Sequence, residues 1–334
     1  MVRLQDVADY AGVSMKTVSN VVHDYQHVSE AMRTRVQKAI DELGYRPNVM
    51  GRRLASGRTM MLAVVFSDIA LPYFAELARA LFLEAETFGY QVLVQQTDGI
   101  LDKERAIISS SESGLVDGMI IQPSIMDSLE IAQARSDIPI VVLGENAAPL
   151  ALDHVMIDNV EAAIRITEHL IALGRRRIAF AGHEDKTLTK TSKLRIAGYQ
   201  SALEAAGLEA SPDLLIASSS ISAQAGAQAV GDALDSGLKF DALMCRDDLA
   251  AIGSLRALHE RGIRVPDDVA VTGWDNTPIT AVTSPSLTSL APDLHALAAK
   301  AVSFLIDRIN GYSGAGRHEN APYSLVLRES APAA

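Results

Sequence analysis

Short apolar segments alternate with helical patterns between about residues 61 and 272 of this 334-residue chain. The segments are four to six residues long and rich in Val, Ile and Leu, which is typical of strands buried on both faces. Because strands separated by helices pair in parallel, and because these strands come in two series, the sequence predicts an α/β core of two doubly wound lobes. The predicted strands are 61–66, 91–95, 118–121, 138–143 and 154–157, then 177–181, 214–217, 242–245 and 269–272; the predicted helices are 73–88, 101–113, 160–173, 193–206, 223–235 and 249–262.

Polar and aromatic side chains lie at or just beyond the ends of several predicted strands. Ligands of open α/β sheets bind at the carboxyl ends of the strands, here in the cleft between the lobes. Carboxylates and amides hydrogen-bond to hydroxyls, and aromatic rings cover the C–H faces of a sugar, so we expect a carbohydrate or similar polyol. An aspartate after a strand is also a common helix N-cap, and this alternative applies above all to Asp68 and Asp158. The candidates are Asp68, Tyr73, Phe74, Gln122, Glu145, Asp158, Asp247, Trp274 and Asp275.

The N-terminal region has a different, helical pattern. Gly12 tolerates the positive φ at which a short helix ends, and Ser14 is suited to cap the next helix. In that second helix three valines share one face, whereas Lys16 and Asn20 lie on the opposite face. A longer helix, which Ser29 is expected to cap, follows. This order predicts a helix-turn-helix whose second helix reads DNA, and the alternative is a generic three-helix subdomain with solvated polar side chains.

Charge is distributed unevenly along the chain. Residues 1–60 contain nine Lys and Arg against six Asp and Glu, a net charge of +3. Since the whole chain has a net charge of −11, the remaining residues carry −14. A cationic head on an acidic body restricts the attraction for phosphate to the head. Between head and body, Arg46-Pro47 ends the third helix, and a short arginine-rich helix follows around Leu54. Such a helix is too short to be stable alone in water.

Six motifs near the N-terminus carry a resemblance to a known family. They are Leu4-Gln-Asp-Val-Ala8, Ala11-Gly-Val-Ser14, Thr17-Val-Ser19, His27-Val-Ser29, Leu43-Gly-Tyr-Arg-Pro-Asn48 and Arg52-Arg-Leu54. Residues 2–59 thereby resemble the DNA-binding head and hinge of the LacI/GalR (lac repressor) family of bacterial transcriptional regulators, and the likeness continues to about residue 310. The resemblance implies a periplasmic-binding-protein-like core, a homodimer and a near-palindromic double-stranded DNA operator. It also implies a repressor of a carbohydrate-utilisation operon, controlled by a sugar-like effector between the lobes.

The resemblance also assigns DNA contacts. It places Met15, Lys16 and Asn20 at base edges in the major groove, where a lysine donates to guanine and an asparagine pairs with adenine. Leu54 of the hinge is expected to wedge into a minor-groove base step. Contacts with the phosphate backbone are expected from Ser14, Thr17, Ser19, His27 and Asn48.

In the core, Arg195 begins the sequence Arg-Ile-Ala-Gly-Tyr, which matches the family's Arg-x-x-Gly-aromatic motif. By this match Arg195, Asp247 and Asp275 take effector-binding positions. Asp247 departs from the family, which usually has Asn there, and this predicts a ligand rich in hydrogen-bond donors, either amine-bearing or fully hydroxylated. Arg246 is also unusual, and we expect it to be solvated at the strand edge.

The expected organisation is a head, a hinge and a two-lobed core. The tail after Gly311 lacks heptad leucines, so no tetramerising coiled coil is predicted. The lone Cys245, the absence of a signal peptide and the absence of a membrane-length apolar run predict a cytoplasmic protein with no membrane partner. The boundaries are 1–46 for the helix-turn-helix domain, 47–59 for the hinge and 60–330 for the core, with an N-lobe of about 60–158 plus 291–315 and a C-lobe of about 159–290 plus 316–330.

The sequence contains none of the usual enzyme motifs. There is no Gly-x-Gly-x-x-Gly after a strand, no phosphate-binding P-loop, no Gly-x-Ser-x-Gly elbow and no His-Glu-x-x-His. We therefore expect neither catalysis nor a cofactor or metal ion. A solute-binding transport protein is the alternative, since it shares the core fold, but the cationic head and the missing signal peptide count against it.

Overall fold

The computed structural model describes residues 2–22, 25, 27–45, 57–110, 114–134, 138–145 and 152–333. The chain divides into two compact units, Met1–Thr59 and Met60–Ala334. Most of the predicted hinge, including Asn48 and Leu54, lies outside the described residues. Within those ranges, no helix combines the length and the apolar character that crossing a membrane requires.

The N-terminal unit has three helices around a small apolar core. Val7, Val18 and Val36, one from each helix, are fully buried against one another's helices. Small side chains fill the centre, which lets the three helices pack closely. The helices are α1 (Leu4–Ala11), α2 (Met15–Val22) and α3 (Glu30–Leu43).

The helix ends follow the predicted signals with two exceptions. One is the end of α3, which comes at Leu43, with Gly44 at φ +61°, and not at the predicted Arg46-Pro47. α1 ends at Gly12, which has φ +61°, and Ser14 Oγ caps α2 by accepting a hydrogen bond from the Thr17 N–H at 3.1 Å. Ser29 precedes α3, but its side chain makes no capping hydrogen bond, so that prediction was wrong. Its backbone carbonyl accepts instead from the Arg33 N–H at 2.9 Å.

Arg35 of α3 holds the end of α1. Its Nε donates to the Ala11 carbonyl at 2.7 Å, and its Nη2 donates to the Gly12 carbonyl at 2.8 Å. A guanidinium at a helix C-terminus satisfies carbonyls that lack a helical partner and complements the negative end of the helix dipole. In the sequence, Arg35 is recognisable only as one of the positive charges of residues 1–60.

The core unit contains two sheets, each with helices on both faces. The strand order in the described residues is β11-β5-β4-β3-β1-β2 in the first sheet and β12-β10-β9-β8-β6-β7 in the second. All neighbours are parallel except β10 and β12. The strands are β1 (Met61–Phe66), β2 (Gln91–Gln96), β3 (Gly118–Ile121), β4 (Ile140–Leu143), β5 (Asp153–Met156), β6 (Ile178–Glu184), β7 (Leu215–Ser218), β8 (Ala242–Cys245), β9 (Ala270–Trp274), β10 (Thr288–Pro292), β11 (His318–Asn320) and β12 (Tyr323–Val326).

Successive side chains of a strand pack against helices on opposite faces. Val64 of β1 lies in one buried cluster with residues of helix Pro72–Thr87 (α4), and Val65 lies in another with residues of helix Leu101–Ser110 (α5). Both lobes are therefore doubly wound, as predicted. The remaining helices are α6 (Ser128–Gln133), α7 (Asn159–Ala172), α8 (Lys190–Ala205), α9 (Ala223–Asp235), α10 (Asp248–Glu260) and α11 (Leu294–Ile309).

The predicted division of the C-terminal segment between the lobes was wrong. His318 of β11 pairs with His154 of β5, so the second segment of the N-lobe extends through residue 320 rather than ending at 315. In the described chain, the backbone thus passes from one lobe to the other after β5, after β10 and after β11.

A buried ion cluster secures the edge of the N-lobe. Asp153 opens β5 and is 0% exposed; its carboxylate accepts from Nε and Nη2 of Arg308 at 2.9 and 3.0 Å. Nη2 of Arg317 also donates to it at 2.9 Å. Burial alone would raise the pKa of Asp153, but these guanidiniums lower it to about 2.

We expect Asp153→Asn to lower the free energy of unfolding by about 3 kcal/mol at pH 7, because the partly buried guanidinium of Arg308 loses its counter-charge and that of Arg317 keeps only Asp307, at 2.6 Å. The native pKa is depressed, so the stabilisation is complete above the ordinary aspartate pKa of 3.8 and is lost as the pH falls through about 2. Denaturant unfolding at several pH values measures both effects. As a control, Asp267→Asn breaks an exposed 3.3 Å pair with Arg264 and should change stability by less than about 1 kcal/mol. Equal losses in the two variants would contradict this account.

Candidate nucleic-acid interface and ligand cavity

The outward face of α2 carries the side chains predicted to read bases. α2 buries Val18 and Val21, whereas Met15 is 49% exposed, Lys16 is exposed and Asn20 is half-buried. The face therefore offers an ammonium group, a thioether and an amide beside one another. These are groups that contact base edges in a major groove.

The predicted phosphate contacts lie around this face. Ser14 Oγ and Thr17 Oγ1 are 2.9 Å apart and hydrogen-bonded, and Ser19 is half-buried on the same helix. His27 is exposed and meets Tyr25 edge-on, with 5.5 Å between the ring centroids. Asn48 and Leu54 are outside the described residues, so their roles stay predictions, as do all the individual DNA contacts.

A cavity lies between the two lobes of the core, at the carboxyl ends of both sheets. It offers about 180 Å³ to water-sized molecules. Since one water needs roughly 10–15 Å³, the cavity has room for a small organic ligand. The candidates that line it are Tyr73, Phe74, Gln122, Glu145, Arg195, Asp247, Trp274 and Asp275.

Asp68 and Asp158 are not among the residues that line the cavity. Asp68 Oδ1 accepts from the Ala70 N–H at 2.9 Å in a turn, and Asp158 Oδ1 accepts from the Glu161 N–H at 3.0 Å as the N-cap of α7. For these two residues the structure supports the alternative considered above, a local backbone role.

Arg195 lies at the centre of the C-lobe wall and is 7% exposed. Its Nε donates to Asn159 Oδ1 at 2.9 Å, and its Nη1 donates to the Arg246 carbonyl. Its guanidinium carbon lies 3.7 Å from the centroid of the Trp274 ring, a cation–π contact. The side chain is thus fixed from three directions.

Gly198 explains the Arg-x-x-Gly spacing. A Cβ at this position would overlap the Val160 carbonyl oxygen and would lie 2.8 Å from Ala163 Cβ, both on α7. Only glycine lets α8 approach α7 this closely. Arg195, one turn earlier on α8, therefore reaches Asn159 at the start of α7.

The expectation that Trp274 presents a ring face to a sugar was wrong. The residue is 0% exposed, and Arg195 covers one face of the ring. Among the described residues, its buried Nε1–H has no hydrogen-bond partner, and neither has Gln122 Oε1 on the N-lobe side of the cavity. One face of the Phe74 ring is also covered, because it stacks on Phe66 with 4.9 Å between the ring centroids. Of the three aromatic candidates, this leaves the half-buried Tyr73 as the ring that can face a ligand.

Glu145 connects the two lobes across the cavity. It follows β4 of the N-lobe, and its Oε2 accepts from Thr191 Oγ1 of α8 at 2.7 Å. Its Oε1 accepts from Nδ2 of Asn159, the same amide that orients Arg195, at 3.0 Å. Asn159 and Thr191 were not among the predicted site residues, because their role depends on contacts between distant segments.

Arg246 is 9% exposed, so the expectation of a solvated side chain was wrong. Its Nη1 donates to Asp247 Oδ2 at 2.9 Å, its Nε donates to Ser192 Oγ at 3.0 Å, and its Nη2 lies 3.4 Å from Glu184 Oε1. Asp247 Oδ1 caps α10 by accepting from the Ala250 N–H at 2.8 Å. Both carboxylate oxygens of Asp247 therefore accept hydrogen bonds. The Arg246 guanidinium also balances the charge that Asp247 brings to a position where the family usually has Asn.

The turn after β9 is anchored by Asp248. Its Oδ2 accepts from the N–H and Oγ1 of Thr277 at 2.7 and 2.8 Å, and its Oδ1 accepts from Ser289 Oγ at 2.6 Å. Burial is the main cause that raises the pKa of Asp248 to about 6. On this turn Asp275 has φ +101°, a strained conformation for a non-glycine residue, and burial raises the pKa of Asp275 well above its ordinary value. The turn thus holds a carboxyl group at the cavity wall.

The described residues contain no cluster of three or more His, Cys, Asp or Glu side chains placed to hold a metal ion.

Comparisons with known proteins agree with both units. Residues 3–48 match bacterial regulatory proteins of the lacI family, and residues 167–331 match a periplasmic binding protein-like domain. The HTH-type transcriptional regulator DegA of Bacillus subtilis (strain 168) is 32% identical over 98% of this chain and 97% of its own length. The Lac repressor dimer bound to operator and the anti-inducer ONPF has a TM-score of 0.87 at 28% identity, with 99% of each chain covered. The transcriptional regulator CelR in complex with cellobiose has a TM-score of 0.73 at 29% identity, with 99% of this chain and 100% of the other covered. This chain belongs to the lacI family of bacterial transcriptional regulators.

Proposed function

We propose that this regulator is a repressor of a carbohydrate-utilisation operon, whose affinity for its operator is controlled by a small polar effector bound between the core lobes. The observation that carries the proposal is the cavity between the lobes with Arg195 held in its wall, in a chain that also has a helix-turn-helix with Lys16 exposed on its second helix. The cellobiose complex of CelR supports a sugar-like effector, and the operator complex of the Lac repressor supports the DNA-binding role.

On DNA, the protein acts as a homodimer in the cytoplasm. Each head places α2 in a major groove, with Met15, Lys16 and Asn20 at base edges. Two heads related by a two-fold axis require a nearly palindromic operator. The net charge of +3 on residues 1–60 favours the phosphate backbone, whereas the acidic remainder does not.

Control by the effector is a linkage between two binding equilibria. The effector touches both lobes, so it stabilises the lobe arrangement in which both walls reach it. It changes operator affinity only to the extent that it binds one arrangement better than the other. Glu145, which already joins the N-lobe to Thr191 of the C-lobe, is part of the contact that such a change must break or strengthen.

Selection from a pool of random DNA duplexes at two salt concentrations tests the proposed role on DNA. We expect enrichment of a near-palindrome that persists at the higher salt, because base contacts add to the salt-sensitive phosphate contacts. Binding without enrichment that disappears at the higher salt would reduce the interaction to non-specific electrostatics and contradict the proposal.

Lys16→Ala should weaken binding to the selected operator by roughly 10- to 100-fold and relax the preference at one base pair, because a lysine at a base edge contributes about 1–3 kcal/mol of discrimination. Repeating the selection with the variant measures the preference at each position. Lys38→Ala on α3, whose ammonium is exposed and 3.9 Å from Glu42, is the matched control and should leave the preferences unchanged. A uniform loss across all sequences would make Lys16 a phosphate contact instead.

Arg195→Ala should abolish the effector response while operator binding stays within about threefold, because the cavity loses its fixed guanidinium and the head does not change. Operator release by sugars, measured by fluorescence anisotropy of labelled DNA, reports the response. Arg256→Ala removes an exposed arginine of α10 that pairs with Glu260 at 2.6 Å, and it should respond like the wild type. A retained response in Arg195→Ala would move the effector site elsewhere.

A further inference from the structure

The loop that connects β3 to α6 forms part of the N-lobe wall of the cavity. Three of its residues, Gln122, Pro123 and Ser124, line the cavity. The start of the loop is fixed by the sheet, because the Gln122 N–H donates to the Val65 carbonyl at 3.0 Å. Residues 124–126 belong to neither a helix nor a strand, so their backbone N–H groups need partners outside regular secondary structure.

Glu104 of α5 supplies these partners. Its side chain is 0% exposed. Oε1 accepts from the Ser124 N–H at 2.7 Å, Oε2 accepts from the Met126 N–H at 2.8 Å, and the Ile125 nitrogen lies 3.4 Å from both oxygens. A carboxylate suits this role, since it offers two acceptor oxygens and binds N–H groups more strongly than a neutral acceptor does. One side chain therefore holds three consecutive backbone groups that lie 20 to 22 residues further along the chain.

The other contacts between α5 and this segment are of two kinds. Met126 is 1% exposed and lies in the same buried cluster as Ile108, one turn after Glu104 on α5. Arg105 Nε donates to Glu130 Oε1 of α6 at 2.8 Å, but both of these side chains are exposed. An exposed ion pair contributes little to stability, so the buried carboxylate is the polar contact that fixes the loop.

Among the described residues that line the cavity, none belongs to α5. We propose that Glu104 is a positioning residue for ligand recognition: without touching the ligand, it fixes the backbone of residues 124–126 and thereby places Pro123 and Ser124 in the cavity wall. This inference rests on the proposed function, in that the cavity is the effector site.

The expected consequence of losing Glu104 follows from the cost of ordering a wall. Three N–H groups would lose their acceptor at once, and the loop would rearrange to bring them to water. A ligand would then have to order this part of the wall as it binds, which lowers affinity although no group that touches the ligand has changed. The head contains none of these contacts, so operator binding should be unaffected.

The first test compares ligand affinity in two variants of the full-length protein. The probes are glucose, galactose, xylose, maltose, lactose and cellobiose, and the sugar that the wild type binds most tightly is used for the variants. Glu104→Ala should bind it at least about tenfold more weakly, because the wall is no longer preorganised. Glu104→Gln should lose less, since the amide keeps one acceptor oxygen while its NH2 group meets a backbone N–H. Isothermal calorimetry measures the affinity, and the emission of Trp274, the only tryptophan of the chain, reports binding independently.

Two control variants separate positioning from stability. Arg105→Ala removes the exposed contact of the neighbouring residue on the same helix, and its affinity should stay within about twofold of the wild type. Asp153→Asn is expected to be less stable for the separate reason given above, and it should also keep its affinity. Alanine has a higher helix propensity than glutamate, so a loss in Glu104→Ala does not come from a weakened α5.

Hydrogen exchange of the free protein tests the loop without a ligand. The backbone amides of residues 124–126 should exchange roughly tenfold faster in Glu104→Ala than in the wild type, because their acceptor is gone. In Arg105→Ala their exchange should not change.

The outcomes distinguish this inference from the proposed function. Unchanged sugar affinity in Glu104→Ala, with operator binding intact, overturns the positioning role and leaves an effector-controlled repressor in place. A loss no greater than that of Asp153→Asn assigns the effect to stability and overturns it too. If Glu104→Ala does not fold, unchanged affinity and exchange in Glu104→Gln overturn it. If the wild type binds no sugar of the set while it still selects an operator, the effector class and this inference fail together and the DNA-binding function stands.

Discussion

The cavity of this protein depends on how one guanidinium is held. Arg195 touches an amide of α7, a backbone carbonyl after β8 and the ring of Trp274 at the end of β9, so it joins three segments of the C-lobe that are far apart in sequence. A buried cation needs each of these contacts, because desolvation would otherwise outweigh them. The close approach of α8 to α7 at Gly198 makes the arrangement possible. The close packing of α7 and α8 therefore also fixes the position of the guanidinium in the cavity wall.

Most of the core was predictable, because strands buried on both faces are uninterrupted apolar runs that need no tertiary information to be recognised. β11 was missed for the same reason. Its sequence, His-Glu-Asn, is exposed and polar at the edge of the sheet, and only its pairing with β5 makes it a strand. His318 of β11 pairs with His154, which lies 164 residues earlier in the sequence. This pairing decides the lobe to which the segment belongs, and the local sequence gives no sign of it.

The position of the cavity was predictable, but the contacts of its side chains were not. Strand ends identify the cavity, because topology alone brings them to one edge. The partners of each side chain were not predictable: Arg246 contacts Ser192 and Glu184, which lie on other elements, and Glu145 reaches Thr191 across the cleft. The unusual pair at residues 246 and 247 was visible in the sequence, but its meaning required knowing that both side chains are buried and joined.

The three passages between the lobes also have a mechanical consequence. They follow β5, β10 and β11, and these strands and their neighbour β12 lie at one side of each sheet. If the lobes open by rotation about a hinge axis on that side, Asp158 and the segments beside it lie nearest the axis and move least. The largest displacement falls on the far strands, β2 and β7, and on the loops that follow them. A ligand that contacts those loops therefore constrains the angle between the lobes more strongly than a ligand of equal affinity that is bound near the three passages.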